Sequence, residues 1–109
     1  MLQELLKPLC ALVLAAGLLP AAWAQTQPSM KVRDLPEVLR SQWVQIKPEM
    51  NSNSHCAAAF DSHTDFDRMT LKCSIYIKLS AEGARRAMRY CEDEREKKHI
   101  HGPCKLVEE

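Results

Sequence analysis

The sequence predicts an α+β fold: a small disulfide-stapled domain with an N-terminal helix, an antiparallel β-hairpin, a long C-terminal helix packed on the sheet, and a short closing strand. Three observations predict it. In residues 68–79, RMTLKCSIYIKL, the side chains Met69, Leu71, Cys73, Ile75, Ile77 and Leu79 fall on one parity; Arg68, Thr70, Lys72, Ser74, Tyr76 and Lys78 fall on the other. That is the period of a strand with one apolar and one wet face, read here as the central strand of the sheet. In residues 81–98, Ala81, Ala84, Ala87, Met88 and Cys91 recur at helical spacing, an apolar stripe narrow enough to sit close to a sheet. Finally, Cys56, Cys73, Cys91 and Cys104 follow an N-terminal apolar run, and an even cysteine count in a short exported chain reads as a disulfide framework.

Taken in order, residues 1–24 read as a signal peptide. Residues 9–19, LCALVLAAGLL, are too few to span a bilayer, Pro20 breaks them, and Ala22-Trp23-Ala24 offers small residues at a cleavage site. Cys10 lies at the wrong end of this run for lipidation. Residues 25–33 are polar and form an expected disordered leader. Residues 34–109 are then a single α+β disulfide-stabilised domain. Asp34 is the expected N-cap of the first helix, with Pro36 in its first turn and Glu37 closing a capping-box pattern. Leu35, Val38 and Leu39 follow at helical spacing. Residues 43–47 alternate as well as they coil, so helix and strand both remain open there; Trp43 is expected in the core.

Residues 55–60, HCAAAF, form the second strand. Paired antiparallel with residues 68–79 so that Cys56 faces Cys73, Ala58 meets Leu71 and Phe60 meets Met69; a slip of one residue would ruin every match. Ser80 is the expected N-cap of the long helix. Opposite charges three or four apart line its polar side, Arg89 with Asp93, Asp93 with Lys97 and Glu94 with Lys98. Gly102-Pro103 stops it, and residues 104–107 supply the closing strand. Four cysteines allow three pairings. Cys56–Cys73 and Cys91–Cys104 are preferred over Cys73–Cys91 with Cys56–Cys104, and the hairpin bridge is expected to matter more, because it clips the strand on which the helix packs.

The formal net charge is +1, which argues against nucleic-acid or membrane-surface binding driven by charge. There is no CxxC pair, GxSxG motif or glycine-rich phosphate loop, and cysteines held in disulfides are not nucleophiles. The expected protein is therefore not an enzyme and has no cofactor. Three clusters remain as candidate sites. Asp61, His63, Asp65 and Asp67 alternate in a loop that could hold a cation, although position six is Phe66 and position twelve Lys72, against the EF-hand pattern; turn formation explains such aspartates as well. His99 and His101 could give a metal two imidazoles, with His55 or His63 as a third; their ordinary role is an exposed helix end. Arg85, Arg86 and Arg89 form a basic patch suited to an anionic partner, or simply a solvated face.

The function expected from these residues is an exported small binding or interaction module of the cell envelope, non-catalytic: an accessory factor, inhibitor or assembly component. The alternative is a small periplasmic metal-binding protein using His and loop Asp residues. The expected location is periplasmic or secreted. The expected partner is another envelope or extracellular protein, with no nucleic acid and no stable membrane span after signal cleavage.

Overall fold

Three successive alanines in HCAAAF leave almost nothing projecting from either face, and the fold uses both. The structure is a computed structural model describing residues 27–109; the expected signal peptide and its cleavage site lie outside them. Four strands, β1 (Ser29–Lys31), β2 (His55–Phe60), β3 (Met69–Ser74) and β4 (Lys105–Glu108), form one mixed sheet in the order β1-β4-β2-β3. Helix α1 (Glu37–Ile46) covers one face and helix α2 (Ser80–Lys97) the other. Under α1, Leu35, Leu39, Ala58 and Met69 form a buried cluster with Met30, Val32, Phe60, Leu71 and Val107 against it. Under α2, Ala57, Ala59, Ala87, Cys91, Ile100 and Cys104 form the second, with Met88 and Leu106.

The expected hairpin forms in the expected register, with Cys56 opposite Cys73, Ala58 opposite Leu71 and Phe60 opposite Met69. The Asp61 amide donates to the Arg68 carbonyl at 2.9 Å. Alternation therefore puts Cys56 and Cys73 at a non-hydrogen-bonded position, where antiparallel strands come closest. Their Cα atoms are 3.9 Å apart and the bridge forms; the second bridge, Cys91–Cys104, joins α2 to the residue before β4 across 6.1 Å.

Five expectations are corrected. The strand in residues 68–79 is an edge, not the centre: β4 pairs with the other side of β2. It also stops at Ser74, because Tyr76 takes a left-handed backbone conformation (φ 58°) and turns the chain toward α2. Its second face is not wet. Thr70 and Ser74 are buried under α2, and the Ser74 hydroxyl donates to the Gly83 carbonyl at 2.7 Å, which satisfies its polarity. The leader is not wholly disordered: Ser29–Lys31 pairs parallel with β4, and Val32–Asp34 makes a 3-10 turn. Nor does Asp34 cap α1. The helix begins at Glu37, with Pro36 at the N-cap position and no side-chain cap. Proline at that boundary fixes φ and has no N–H to lose. The helix then continues through Trp43 to Ile46 and tightens into the 3-10 turn Lys47–Glu49.

At the other end of the sheet, the Lys98 ammonium donates to the Met69 carbonyl at 3.0 Å and lies 4.9 Å from the centre of the Phe66 ring. A lysine on the outer edge of β3 is a device against strand addition there.

Candidate functional site

The acidic loop is built from turns. The Ser62 hydroxyl accepts the amides of Thr64 (3.1 Å) and Asp65 (2.9 Å), and the Asp65 carboxylate accepts the Asp67 amide at 3.0 Å. His63 lies edge-on to Phe60, ring centres 5.0 Å apart. Asp61 reaches the other way: its carboxylate accepts the amides of His101 (2.7 Å) and Gly102 (2.6 Å) and faces Arg68 at 3.5 Å. Asp61, His63, Asp65 and Asp67 are thus used separately. Among the described residues, no three His, Cys, Asp or Glu side chains gather as a metal-ligand set.

The amides of His101 and Gly102, with Arg68, hold the Asp61 carboxyl below its ordinary value of 3.8. A depressed folded pKa means that the stabilisation is complete above the ordinary value and lost as pH falls through the lower folded one. Asp61→Asn should therefore destabilise the protein at pH 7, and urea midpoints of the two proteins should converge as the pH falls below 3.8. A gap that stays constant with pH would show that this carboxylate is not the group responsible.

His99 ends α2. Its φ is 55°, and the amides of Lys98, His99 and Ile100 donate to the carbonyls of Glu94, Glu96 and Arg95. This is a Schellman-type closure with a histidine where glycine is usual. The helix therefore ends before Gly102-Pro103. Gly102 instead lets two backbones touch: a Cβ there would lie 2.6 Å from the Phe60 carbonyl oxygen. Arg95 braces the turn by donating to the carbonyls of Gly102 (2.7 Å) and His101 (3.1 Å). Glycine tolerates the left-handed region that costs other residues about 1 kcal/mol. His99→Gly should accordingly raise stability by about that amount, read as a higher urea midpoint with unchanged m-value.

In the basic patch, Glu82 pairs with both Arg85 and Arg86, while Arg89 lies 5.7 Å from the centre of the Tyr90 ring. Arg85 and then Arg86 draw the Glu82 carboxyl below its usual range. Two of the three charges are therefore answered on the helix itself. The spacings expected to pair, Arg89 with Asp93, Asp93 with Lys97 and Glu94 with Lys98, are not among the ion pairs of the described residues; Glu94 faces Lys72 on β3 at 3.9 Å.

Two features were not anticipated from the sequence. His55 Nε2 and Ser80 Oγ lie 2.8 Å apart, so Ser80 is the first residue of α2 and pins it to β2 rather than capping it. The second is a groove of about 580 Å³ between β1 and α1, lined by Lys31, Val32, Arg33, Arg40, Trp43, Lys47 and Glu109. Trp43 is half-buried rather than in the core, with the Lys47 ammonium 4.4 Å from its ring centre. Beyond it lies a hollow of about 370 Å³ that includes Met50, Ser54 and His55. Lys31 faces Glu108 at 3.6 Å, and Lys47 pairs with Glu109. Arg40, Trp43 and Lys47 are three and then four residues apart, hence on one face of the helix and its 3-10 extension; that spacing is the trace this site leaves in the sequence. A cationic rim around an aromatic floor can hold a carboxylate or phosphate beside an apolar or flat group.

The class these features define is a compact α+β domain of two helices on a four-strand mixed sheet with two disulfides. No family model, curated protein or solved structure matches the chain.

Proposed function

We propose that the protein is an exported, non-catalytic binding or interaction module of the cell envelope, serving as an accessory factor, an inhibitor or an assembly component. The observation that carries this reading is the pair of disulfides, each joining separate elements of so small a domain. Such bridges belong to oxidising compartments and to domains whose cores are too small to suffice alone. Among the described residues no helix is long and apolar enough to cross a membrane. The candidate surfaces above offer charge, an aromatic floor and shape, which suits recognition.

Intact-mass analysis of the natively expressed protein tests this. The expected result is a chain beginning at Gln25 with no free thiol. A full-length chain held in the membrane, or four titratable thiols, would overturn it. Equilibrium dialysis with metal analysis addresses the competing metal-binding reading: one equivalent retained, and lost in His99→Ala or His101→Ala, would displace the binding-module reading.

A further inference from the structure

We infer that the Trp43 groove is the docking surface of this module and that its occupant is an acidic, extended segment of a partner protein. The inference rests on the binding-module reading and names its ligand class. The charge complementarity is already displayed within the chain. Lys31 and Lys47 hold the carboxylates of Glu108 and Glu109, side chains at the end of β4. These two carboxylates show what the rim accepts, yet they answer only part of it. Arg33 and Arg40 have no carboxylate within ion-pair distance among the described residues; Arg40 Nη1 reaches only the Arg33 carbonyl, at 3.4 Å. Two open guanidinium forks on one rim are suited to bidentate capture of carboxylates. Trp43 and Val32 supply the apolar floor for a side chain between them.

The shape favours a peptide over a compact anion. The groove runs beside β1, an edge strand of the sheet, and an edge strand offers main-chain groups to an extended backbone. Unlike β3, whose Met69 carbonyl is covered by Lys98, β1 carries its lysine, Lys31, turned to Glu108. Glu109 lies where an incoming carboxylate would sit beside Lys47, so it competes with the occupant.

The test is an NMR titration of the oxidised protein with a blocked hexapeptide alternating glutamate and valine, reading the Trp43 indole resonance and the amides of Lys31 and Arg33. The expected result is a saturable shift, with no such shift from the peptide carrying lysine in place of glutamate. Arg40→Glu should weaken binding about tenfold or more, as loss of charge-assisted hydrogen bonds does, and Arg40→Gln should weaken it less. Arg89→Glu, the same charge change on α2, should leave it within about twofold, the scale of an exposed charge. Glu109→Gln should tighten binding about two- to fivefold, while Glu96→Gln should not. Absence of a saturable shift, or equal weakening by Arg40→Glu and Arg89→Glu, would overturn the site. Binding to anionic phospholipid vesicles through Arg33 and Arg40, with none to the peptide, would overturn the ligand class. Mass analysis of the chain judges export and bridges separately, so failure of this titration is distinguishable from failure of the module reading.

Discussion

Removing the Cys91–Cys104 bridge should destabilise the protein more than removing Cys56–Cys73. The loop-closure contribution scarcely distinguishes them. Their separations of 13 and 17 residues give about 3 kcal/mol each, differing by about 0.2 kcal/mol in the chain-entropy model. Packing does distinguish them. Cys91 and Cys104 are both inside the cluster under α2, at 0 % and 2 % exposure, whereas in the other pair Cys56 is buried but Cys73, on the edge strand β3, is partly exposed. Truncating the buried pair leaves a cavity worth about 1–2 kcal/mol more. It also loosens β4, which stands between β1 and β2 and carries both pairings. The sheet order thus reverses the weighting that the sequence alone places on the hairpin bridge. Cys91→Ala/Cys104→Ala should cost about 4–5 kcal/mol and Cys56→Ala/Cys73→Ala about 3 kcal/mol, compared by urea unfolding. Equal costs, or a larger one for the hairpin pair, would show that β4 is not the strand the sheet depends on. With both bridges reduced, the loss is a large share of the roughly 5–15 kcal/mol of an ordinary domain, and the protein should be largely unfolded at 37 °C.

Gly83→Ala should lower the melting temperature by roughly 10–20 °C, corresponding to about 2–3 kcal/mol. Helix propensity alone gives the opposite sign, a gain of about 1 kcal/mol for alanine over glycine inside a helix. Contact decides between them. An added Cβ would fall well inside contact distance of the Asn53 carbonyl oxygen and 3.2 Å from His55 Cδ2. A carbonyl in a loop tied down by its own bonds yields poorly: Asn53 Nδ2 donates to the Lys78 carbonyl at 3.0 Å, and its amide donates to Asn51 Oδ1 at 2.8 Å. Moving α2 outward would instead stretch the Ser74 to Gly83 hydrogen bond. A melting temperature that rises would mean that the helix does not approach the loop this closely.

The readable parts of this fold share a physical trait: their pattern is completed within one segment or between neighbours. The hairpin register followed from Cys56, Ala58 and Phe60 matching Cys73, Leu71 and Met69. The helix α2 followed from a stripe of small residues, of which Ala87 and Cys91 are fully buried. What was not readable depends on a distant partner. Ser29–Lys31 has no pattern of its own, and becomes a strand only because Leu106–Glu108 lies alongside. Thr70 and Ser74 have the polarity of a solvent face, but a carbonyl of α2 supplies the Ser74 hydroxyl with its partner instead. The same holds for the site. Arg40, Trp43 and Lys47 share a helical face in the sequence, but Lys31 and Glu109 join them only through the sheet.

The parallel pairing of β1 with β4 has a kinetic consequence. A ribosome delivers β1 before every other strand described here, yet its only neighbour in the sheet is the last one to be made. The hairpin and its Cys56–Cys73 bridge need no residue beyond Ser74. The Cys91–Cys104 bridge and β1 must wait for residues that follow α2. Oxidation should thus proceed in sequence, hairpin first, and the groove beside Trp43 should come into being at the closing step. A chain cut short before residue 105 would present a finished hairpin and no groove, because β4 and Glu109 help to build it.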